Sequence, residues 1–255
     1  MKVKSIKPGD KNPLIAVWKN FFIHIDLYRG KSDERYDEAF GSALRGFQTT
    51  ENIKAHGIID NLTWFCGLKH GLQLNAAEEN LLPLKPDFRP LTDVEITKYF
   101  GKLEFVPEPL PGNKEHIRIV NNYDKRNIIF VPLPQLAAAT GGAESGMLFH
   151  KNAADQLKAF FSDIEKHGLL KMIRTFNGSF VPRLVRKSKK RISRHSFGTA
   201  FDVNARWNPM GYTPAALDCA GSVRELVPLA HEYGFYWGGH FSRKDGMHFE
   251  IAKIL

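Results

Sequence analysis

The sequence is poor in cysteine and has no long apolar run. Its 255 residues include two cysteines, Cys66 and Cys219, and neither belongs to a C-x-x-C pair. We therefore expect free thiols rather than a disulfide framework. Without a long apolar run we expect no membrane insertion, and residues 1–20 lack the apolar core of a signal peptide.

Acidic residues are absent from one long stretch of the chain. Residues 171–194 contain nine Lys and Arg and no Asp or Glu, and this stretch accounts for the whole net charge of +9. Such a run attracts an anionic polymer, or it is simply a solvated basic loop. A nucleic-acid site is a third interpretation, which we reject because the run lacks interleaved aromatic residues.

Two short segments near the C-terminus contain the residue types of a metal site. The first runs from Ser193 to Asp202 and includes His195, and the second runs Asp245-Gly-Met-His248-Phe-Glu. Two imidazoles and one carboxylate match a catalytic zinc site, which uses three protein ligands and leaves a fourth position for water. Zinc chemistry also needs a base to accept the proton of that water, and Asp245 is placed for this role.

The spacing predicts the local structure of both segments. His195 and Asp202 are seven residues apart, so one straight strand would put them on opposite faces. We therefore predict His195 in a loop, a turn at Gly198, and Asp202 on a strand over residues 199–203. The sequence also predicts a strand over residues 247–251, with its even-numbered side chains on one face and the turn residues 245–246 before it.

These motifs resemble a family of bacterial cell-wall enzymes. The pattern S-x-H-x-x-G-x-A-x-D, then W-G-G, then D-x-x-H-F-E is similar to zinc D-Ala-D-Ala carboxypeptidases of the VanY type and to L-alanyl-D-glutamate endopeptidases of phage lysins. The resemblance covers about residue 100 to the end. The matching positions are Ser193, His195, Gly198, Ala200, Asp202, Trp237, Asp245 and His248.

The resemblance implies a role for each of these side chains. His195, Asp202 and His248 are expected to bind Zn²⁺, and Asp245, three residues before the last His, is expected to be the base. An Asp at this position resembles the endopeptidase and lysin branch. Ser193 and Trp237 are expected to bind substrate.

The family also uses an arginine before the first His to hold the substrate and its developing oxyanion. Arg suits this role because it stays charged and carries a planar fork of donors. Arg174 and Arg183 both match forms of this position, and the sequence does not separate them. If Asp245 is not the base, Glu250 is the next candidate.

The first third of the chain resembles a second family. A helical pattern ending in Phe47-Gln48, then Gly57-x-x-Asp60, then Thr63 is similar to the peptidoglycan-binding domain of wall hydrolases, a three-helix module. The alternative is a generic three-helix bundle with no affinity for the wall. Either Asp60 or Asn61 can cap the helix that follows.

Length and pattern together predict two domains and an α+β fold class, with a small three-helix module followed by an α+β domain. We predict a helical peptidoglycan-binding domain over residues 1–80, a linker over residues 81–98 and a zinc peptidase domain over residues 99–255, the last with a small antiparallel sheet. Within that domain we expect strands over residues 117–120 and 127–131, joined by a turn. We also expect amphipathic helices over residues 150–166 and 223–233.

The predicted protein is a zinc peptidoglycan hydrolase that cuts the L-alanyl-D-glutamate bond of the stem peptide. A D-Ala-D-Ala carboxypeptidase is the alternative, and a zinc-containing wall-binding module without catalysis is an alternative of another class. We expect a monomer whose partner is the peptidoglycan stem peptide, with no nucleic acid. The protein would reach the wall by release from the cytoplasm, as phage lysins do, or by secretion.

Overall fold

The computed structural model of the protein describes residues 5–72, 82–217 and 219–255. The chain divides into two compact units, Met1–Lys85 and Pro86–Leu255, which we call the N-terminal unit and the C-terminal unit. The class is mixed α+β with small antiparallel sheets, as predicted. No helix in the described ranges is both long and apolar enough to cross a membrane.

The N-terminal unit contains three helices: α1 (Pro13–His24), α2 (Glu38–Thr50) and α3 (Asn61–Lys69). Each begins after a residue whose side chain accepts a backbone N–H of the first turn: Asn12, Asp37 and Asp60 respectively. The cap of α3 is thus Asp60, one of the two residues left open above. Their shared core is aromatic, and its fully or almost fully buried members include Trp18, Phe22, Phe40 and Phe47.

Gln48 explains why the Phe-Gln and Gly-x-x-Asp patterns occur together. Its buried amide nitrogen donates to Thr63 Oγ1 (2.8 Å) and to the carbonyl of Ile58 (2.9 Å). Its amide oxygen accepts the backbone N–H of Gly57 at 2.9 Å. The pattern therefore fixes the loop between α2 and α3, and affinity for the wall stays a prediction.

The C-terminal unit has five helices and eight strands in the residues that the structure describes. The helices are α4 (Asp93–Phe100), α5 (Tyr123–Asn127), α6 (Pro134–Ala139), α7 (Ala154–Lys166) and α8 (Val227–Glu232). The strands are β1 (Phe105–Pro107), β2 (Ile117–Ile119), β3 (Ile128–Pro132), β4 (Gly146–His150), β5 (Phe176–Gly178), β6 (Ala200–Val203), β7 (Phe235–Trp237) and β8 (His248–Ile251).

Antiparallel pairing of these strands gives three small sheets. β1 pairs with β2, β3 pairs with β4, and the third sheet has four strands in the order β5-β6-β8-β7. On the four-stranded sheet Phe201 and Phe235 contact Phe160 of α7, so the amphipathic face of α7 covers the apolar side of the sheet. The register places Asp202 of β6 opposite His248 of β8.

Several predicted element boundaries and one predicted connection are wrong. The strands predicted over 117–120 and 127–131 exist as β2 and β3, but they pair with β1 and β4 and are joined by α5 instead of a turn. The helices predicted from 150 and 223 begin as 3₁₀ turns over Lys151–Ala153 and Arg224–Leu226. Helix α4 occupies part of the predicted 81–98 linker and belongs to the C-terminal unit. Residue 81 and residues 73–80 lie outside the described residues.

Candidate active site

The sequence between His195 and Asp202 folds as predicted, with a sharp turn before a strand. His195 lies in a 3₁₀ turn over Arg194–Phe197. The turn ends at Gly198, whose φ of 63° is the left-handed conformation that glycine adopts at low cost. A side chain at Gly198 would also collide with Ile128 and the backbone of His150. The chain then enters β6, which places Asp202 beside His195.

His195, Asp202 and His248 form a tight triangle of ligand atoms. His195 Nε2 lies 3.1 Å from His248 Nδ1 and 3.3 Å from Asp202 Oδ1, and His248 Nδ1 lies 3.0 Å from Asp202 Oδ1. Ligand bonds of about 2.05 Å in a tetrahedral zinc site separate neighbouring ligand atoms by about 3.3 Å. The triangle therefore has the dimensions of three ligands on one zinc ion.

Hydrogen bonds on the far side of each ring determine which nitrogen faces this triangle. His195 Nδ1 donates to the carbonyl of Ser179 at 2.6 Å, and His248 Nε2 donates to Glu250 Oε2 at 2.9 Å. In neutral rings the opposite nitrogens, His195 Nε2 and His248 Nδ1, then carry lone pairs. Two lone pairs and the Asp202 carboxylate converge, so the triangle suits a cation.

The same convergence perturbs the pKa of the acidic and basic groups. Burial alone would lower the pKa of His248, but hydrogen bonds to Asp202 and Glu250 raise it to about 10. Burial alone would raise the pKa of Asp202, but the charge of His195 and hydrogen bonds from both histidines lower it below its usual range. The surroundings of His248 thus favour a positive charge between the three side chains, which a divalent metal ion would supply in place of the proton on Nδ1.

Asp245 lies beside the triangle and is 9% exposed. Its Oδ1 atom is buried and has no hydrogen-bond partner among the described residues. Burial raises the pKa of Asp245 above its usual range, and the nearby charge of Asp202 adds to the rise against the opposing charge of His248. A buried carboxylate oxygen without a protein partner is uncommon in folded proteins, and beside three candidate metal ligands it is available to a water or a substrate group.

A cavity of about 430 Å³ opens beside Asp245 and is lined by one of the two candidate arginines. Arg183, Asp245, His248 and Glu250 all line it. Arg183 is half-buried, and the charges of Asp202 and Asp245 act on it against the pKa-lowering effect of burial. Arg174 is not among the lining residues; its guanidinium lies 6.0 Å from the ring centre of Trp207. The geometry therefore favours Arg183 as the substrate arginine.

Ser193 and Trp237, predicted to bind substrate, have different positions. Ser193 lines the cavity, and its hydroxyl accepts the backbone N–H of His195 at 3.4 Å. Trp237 is fully buried and does not line the cavity, and its Nε1 donates to the carbonyl of Gly246 at 2.7 Å. The tryptophan therefore supports the turn that presents Asp245 instead of touching a ligand in the cavity.

Close packing explains why a glycine, Gly238, follows Trp237. A side chain on Gly238 would come within 2.4 Å of the Asp245 carbonyl oxygen. The backbone carbonyl of Gly238 accepts the N–H of Asp245 at 2.9 Å, so the two segments touch through their backbones. The W-G-G pattern thus holds Asp245 in place.

Sequence reasoning missed the role of Glu250 and of Ser179. Glu250 was the second candidate for the base, but its carboxylate is bonded to His248 Nε2. The alternation of strand side chains already put both residues on one face, which was the available signal. Ser179 acts through its backbone carbonyl, and no residue-type pattern reports such a contact.

Three candidate ligands that converge, an unpartnered carboxylate and an open cavity are the features of a single-metal hydrolase site. Residues 186–251 match the family model described as D-alanyl-D-alanine carboxypeptidase. The matched segment contains the three candidate ligands, Asp245 and Glu250, and it spans about a quarter of the chain. No curated protein matches the chain.

Proposed function

We propose that this protein is a zinc-dependent peptidase that cuts the stem peptides of peptidoglycan. The observation that carries the proposal is the buried, unpartnered Oδ1 of Asp245 beside the triangle of His195, Asp202 and His248. Leaving a buried carboxylate oxygen without a partner costs roughly 1–3 kcal/mol. A cost of this kind is tolerated at an active site, where the partner is a substrate or a reacting water.

Zinc fits the three side chains in number, atom type and spacing. Bound there, it would supply Lewis acidity, which polarises a peptide carbonyl and makes water nucleophilic near neutral pH. His195 and Asp202 from one side and His248 from the other would hold it. The hydrogen bond from His195 to Ser179 and the one from His248 to Glu250 keep His195 Nε2 and His248 Nδ1 facing the metal position.

The remaining chemistry belongs to Asp245 and Arg183. Asp245 Oδ1 accepts a proton from the attacking water and can return it to the leaving amine. Its raised pKa suits this exchange because a base works best when its pKa is close to the working pH. Arg183 donates to the oxygen on which negative charge develops, and burial strengthens that interaction.

The bond that is cut has two candidates. An Asp in the position of the base favours the L-alanyl-D-glutamate bond, as in the lysin branch that the motifs resemble. The description of the matched family favours the terminal D-Ala-D-Ala bond instead. Digestion of purified peptidoglycan followed by mass analysis of the muropeptides tests the proposal. Free stem peptides that begin with D-Glu indicate an L-alanyl-D-glutamate endopeptidase, loss of one D-Ala indicates a carboxypeptidase, and intact muropeptides contradict both.

We further propose that the N-terminal unit docks the enzyme on the wall. Three capped helices and the Gln48 network give it the framework expected for a peptidoglycan-binding module. The basic stretch 171–194 would attract the anionic wall, and we expect a monomer that acts there after release or secretion.

A zinc-containing wall-binding module without catalysis is the alternative of another class. It does not explain why Asp245 is held with an unpartnered oxygen. The zinc content of the purified protein and its activity on muropeptides separate these alternatives: zinc without turnover favours the binding module. If neither zinc nor turnover is found, the result favours a protein that binds an anionic polymer through its basic stretch.

A further inference from the structure

The cavity above the candidate metal centre is unusually rich in arginine. Five arginines line it, and the acidic residues in the lining are Asp245 and Glu250. The arginines are Arg183, Arg186, Arg191, Arg194 and Arg243. Four of them belong to the basic end of the chain segment that leads to His195, and the fifth comes from the loop before Asp245. A cleft lined by one sign of charge concentrates ligands of the other sign.

Two of these arginines already serve the fold. Arg194 donates to Asp93 Oδ1 at 2.9 Å and to the carbonyl of Leu91 at 2.6 Å. Arg186 donates to Glu115 Oε2 at 2.7 Å. Their charges are balanced by these partners, so they are not the groups that would recognise a ligand.

Arg191 and Arg243 differ from the other arginines in the cavity. Both are exposed, and neither forms a side-chain hydrogen bond or an ion pair with any residue in the described ranges. Arg183 lies deeper, within reach of the charges of Asp202 and Asp245, where the reacting carbonyl would be held. Arg191 and Arg243 are therefore two uncommitted guanidinium groups on the wall of the same cavity.

We infer that Arg191 and Arg243 form a second anion subsite, which binds a substrate carboxylate other than the group that is cut. The inference rests on the proposed peptidase function and adds a substrate class to it, namely acidic stem peptides with a free carboxylate. The planar fork of a guanidinium matches a carboxylate through two parallel hydrogen bonds. A carboxamide in the same place cannot accept both, and it brings no charge.

The probe is the pentapeptide L-Ala-γ-D-Glu-L-Lys-D-Ala-D-Ala, in its free-acid form and with a carboxamide at either D-Glu or the C-terminus. Calorimetry on the zinc-loaded full chain with Asp245→Asn measures binding while the peptide stays intact. We expect the free acid to bind about 10-fold more tightly than at least one amide. Arg191→Ala with Arg243→Ala should remove that preference and leave the affinity for the same amide unchanged.

The matched control is Lys189→Ala with Lys190→Ala. It removes the same amount of charge, at two exposed residues of the basic stretch that do not line the cavity. We expect its preference to equal that of the parent. Glycerol phosphate is added as a competitor, because wall phosphates offer a similar anion, and it should compete more weakly than the free acid.

Five results would overturn the inference: equal binding of acid and amides, a preference that survives in the arginine variant, an equal loss in the lysine control, stronger competition by glycerol phosphate, or no binding of any peptide. Turnover by the unsubstituted enzyme is measured separately. A carboxylate preference without cleavage refutes the hydrolase and keeps the subsite. Cleavage without the preference does the reverse.

Discussion

Asp245 is the residue on which turnover should depend while metal binding does not. Its side chain lies outside the triangle of ligand atoms, and its Oδ1 is free to accept a proton. Asp245→Asn keeps the shape and removes the base, so we expect unchanged zinc content and a fall in kcat of roughly 10²- to 10⁴-fold. His248→Ala is the contrasting variant and should lose zinc. Activity of Asp245→Asn within a few-fold of the parent would show that the base is another group.

Glu250 should affect zinc affinity because it orients a ligand. It is 5% exposed and accepts from His248 Nε2, which leaves Nδ1 facing Asp202 and His195. Glu250→Gln keeps an acceptor but loses the charge, and we expect zinc affinity to fall roughly 10- to 100-fold. Competition with a chromophoric chelator measures this without any substrate. Glu144→Gln, in a loop of the same unit, is the control and should bind zinc as tightly as the parent.

At the residue scale the sequence was sufficient to predict that His195, Asp202 and His248 lie close together, while their roles and that of Asp245 stay predictions. Their types and spacing are local, and glycine marks the turn that the spacing requires. The choice between Arg174 and Arg183 was not local, because it depends on which side of the sheet each loop reaches. The same limit concealed the true position of Trp237, whose aromatic side chain fits a core as well as a binding site.

Strand β4 ends in a histidine that links stability to pH. His150 is 1% exposed, its Nδ1 accepts the N–H of Asn152, and its Nε2 donates to the carbonyl of Phe100. Burial, with the charge of Lys151, lowers its pKa to about 4 against the opposing effect of the hydrogen bond that it donates to the Phe100 carbonyl. The folded state therefore holds His150 neutral at a pH where the unfolded chain protonates it.

The sign of the effect follows from proton linkage. Between about pH 6.5 and about pH 4 the unfolded state binds more protons at His150, so the free energy of unfolding falls as the pH falls. From about pH 7 to about pH 5 this group should account for a loss of about 2 kcal/mol. Urea unfolding of the parent and of His150→Gln at both pH values measures it. If both proteins lose the same stability, His150 is not the linked group.

At the scale of elements, alternation and helical spacing identified most helices and strands, but they could not identify partners. β2 and β3 are consecutive strands and were expected to be joined by a turn, yet each pairs with a different strand and a helix lies between them. The five residues of α5 lie between these strands and form a helix that is too short for periodicity to reveal. Pairing is decided by the burial of side chains from distant segments, which local pattern does not contain.

The whole chain should separate into two parts with different tasks. The two compact units meet at Lys85–Pro86, so a fragment of residues 86–255 should fold, bind zinc and cleave soluble muropeptides at the parental rate. It should act more slowly on intact wall because a tethered module raises the local concentration of enzyme at its substrate. Turbidity assays on purified walls compare the fragment with the full chain. Equal lysis rates, together with a fragment of residues 1–85 that fails to sediment with peptidoglycan, would contradict the docking role.

Composition predicted a linker over residues 81–98, and the boundary between the two compact units lies within that range. Proline indicates an extended chain, but it does not say whether that chain is solvated or packed. Pro90 and Leu91 line the cavity, and Thr92 and Glu95 form a capping box that begins α4. The range predicted to be a linker thus includes part of the cavity lining.

The hydrogen bonds from Arg194 to Leu91 and Asp93, which we call the clamp, determine where a module can be exchanged on this chain. Arg194 is the immediate neighbour of His195. Its hydrogen bonds therefore connect the segment from Leu91 to Asp93 to a candidate metal ligand. A chimaera that receives a foreign targeting module by fusion at Thr92 would remove Pro90 and Leu91 from the cavity wall and put another residue's carbonyl in the place that Arg194 binds. The same graft made ahead of Pro86 keeps the clamp whole. The permissible splice site for exchanging modules is therefore on the N-terminal side of the prolines.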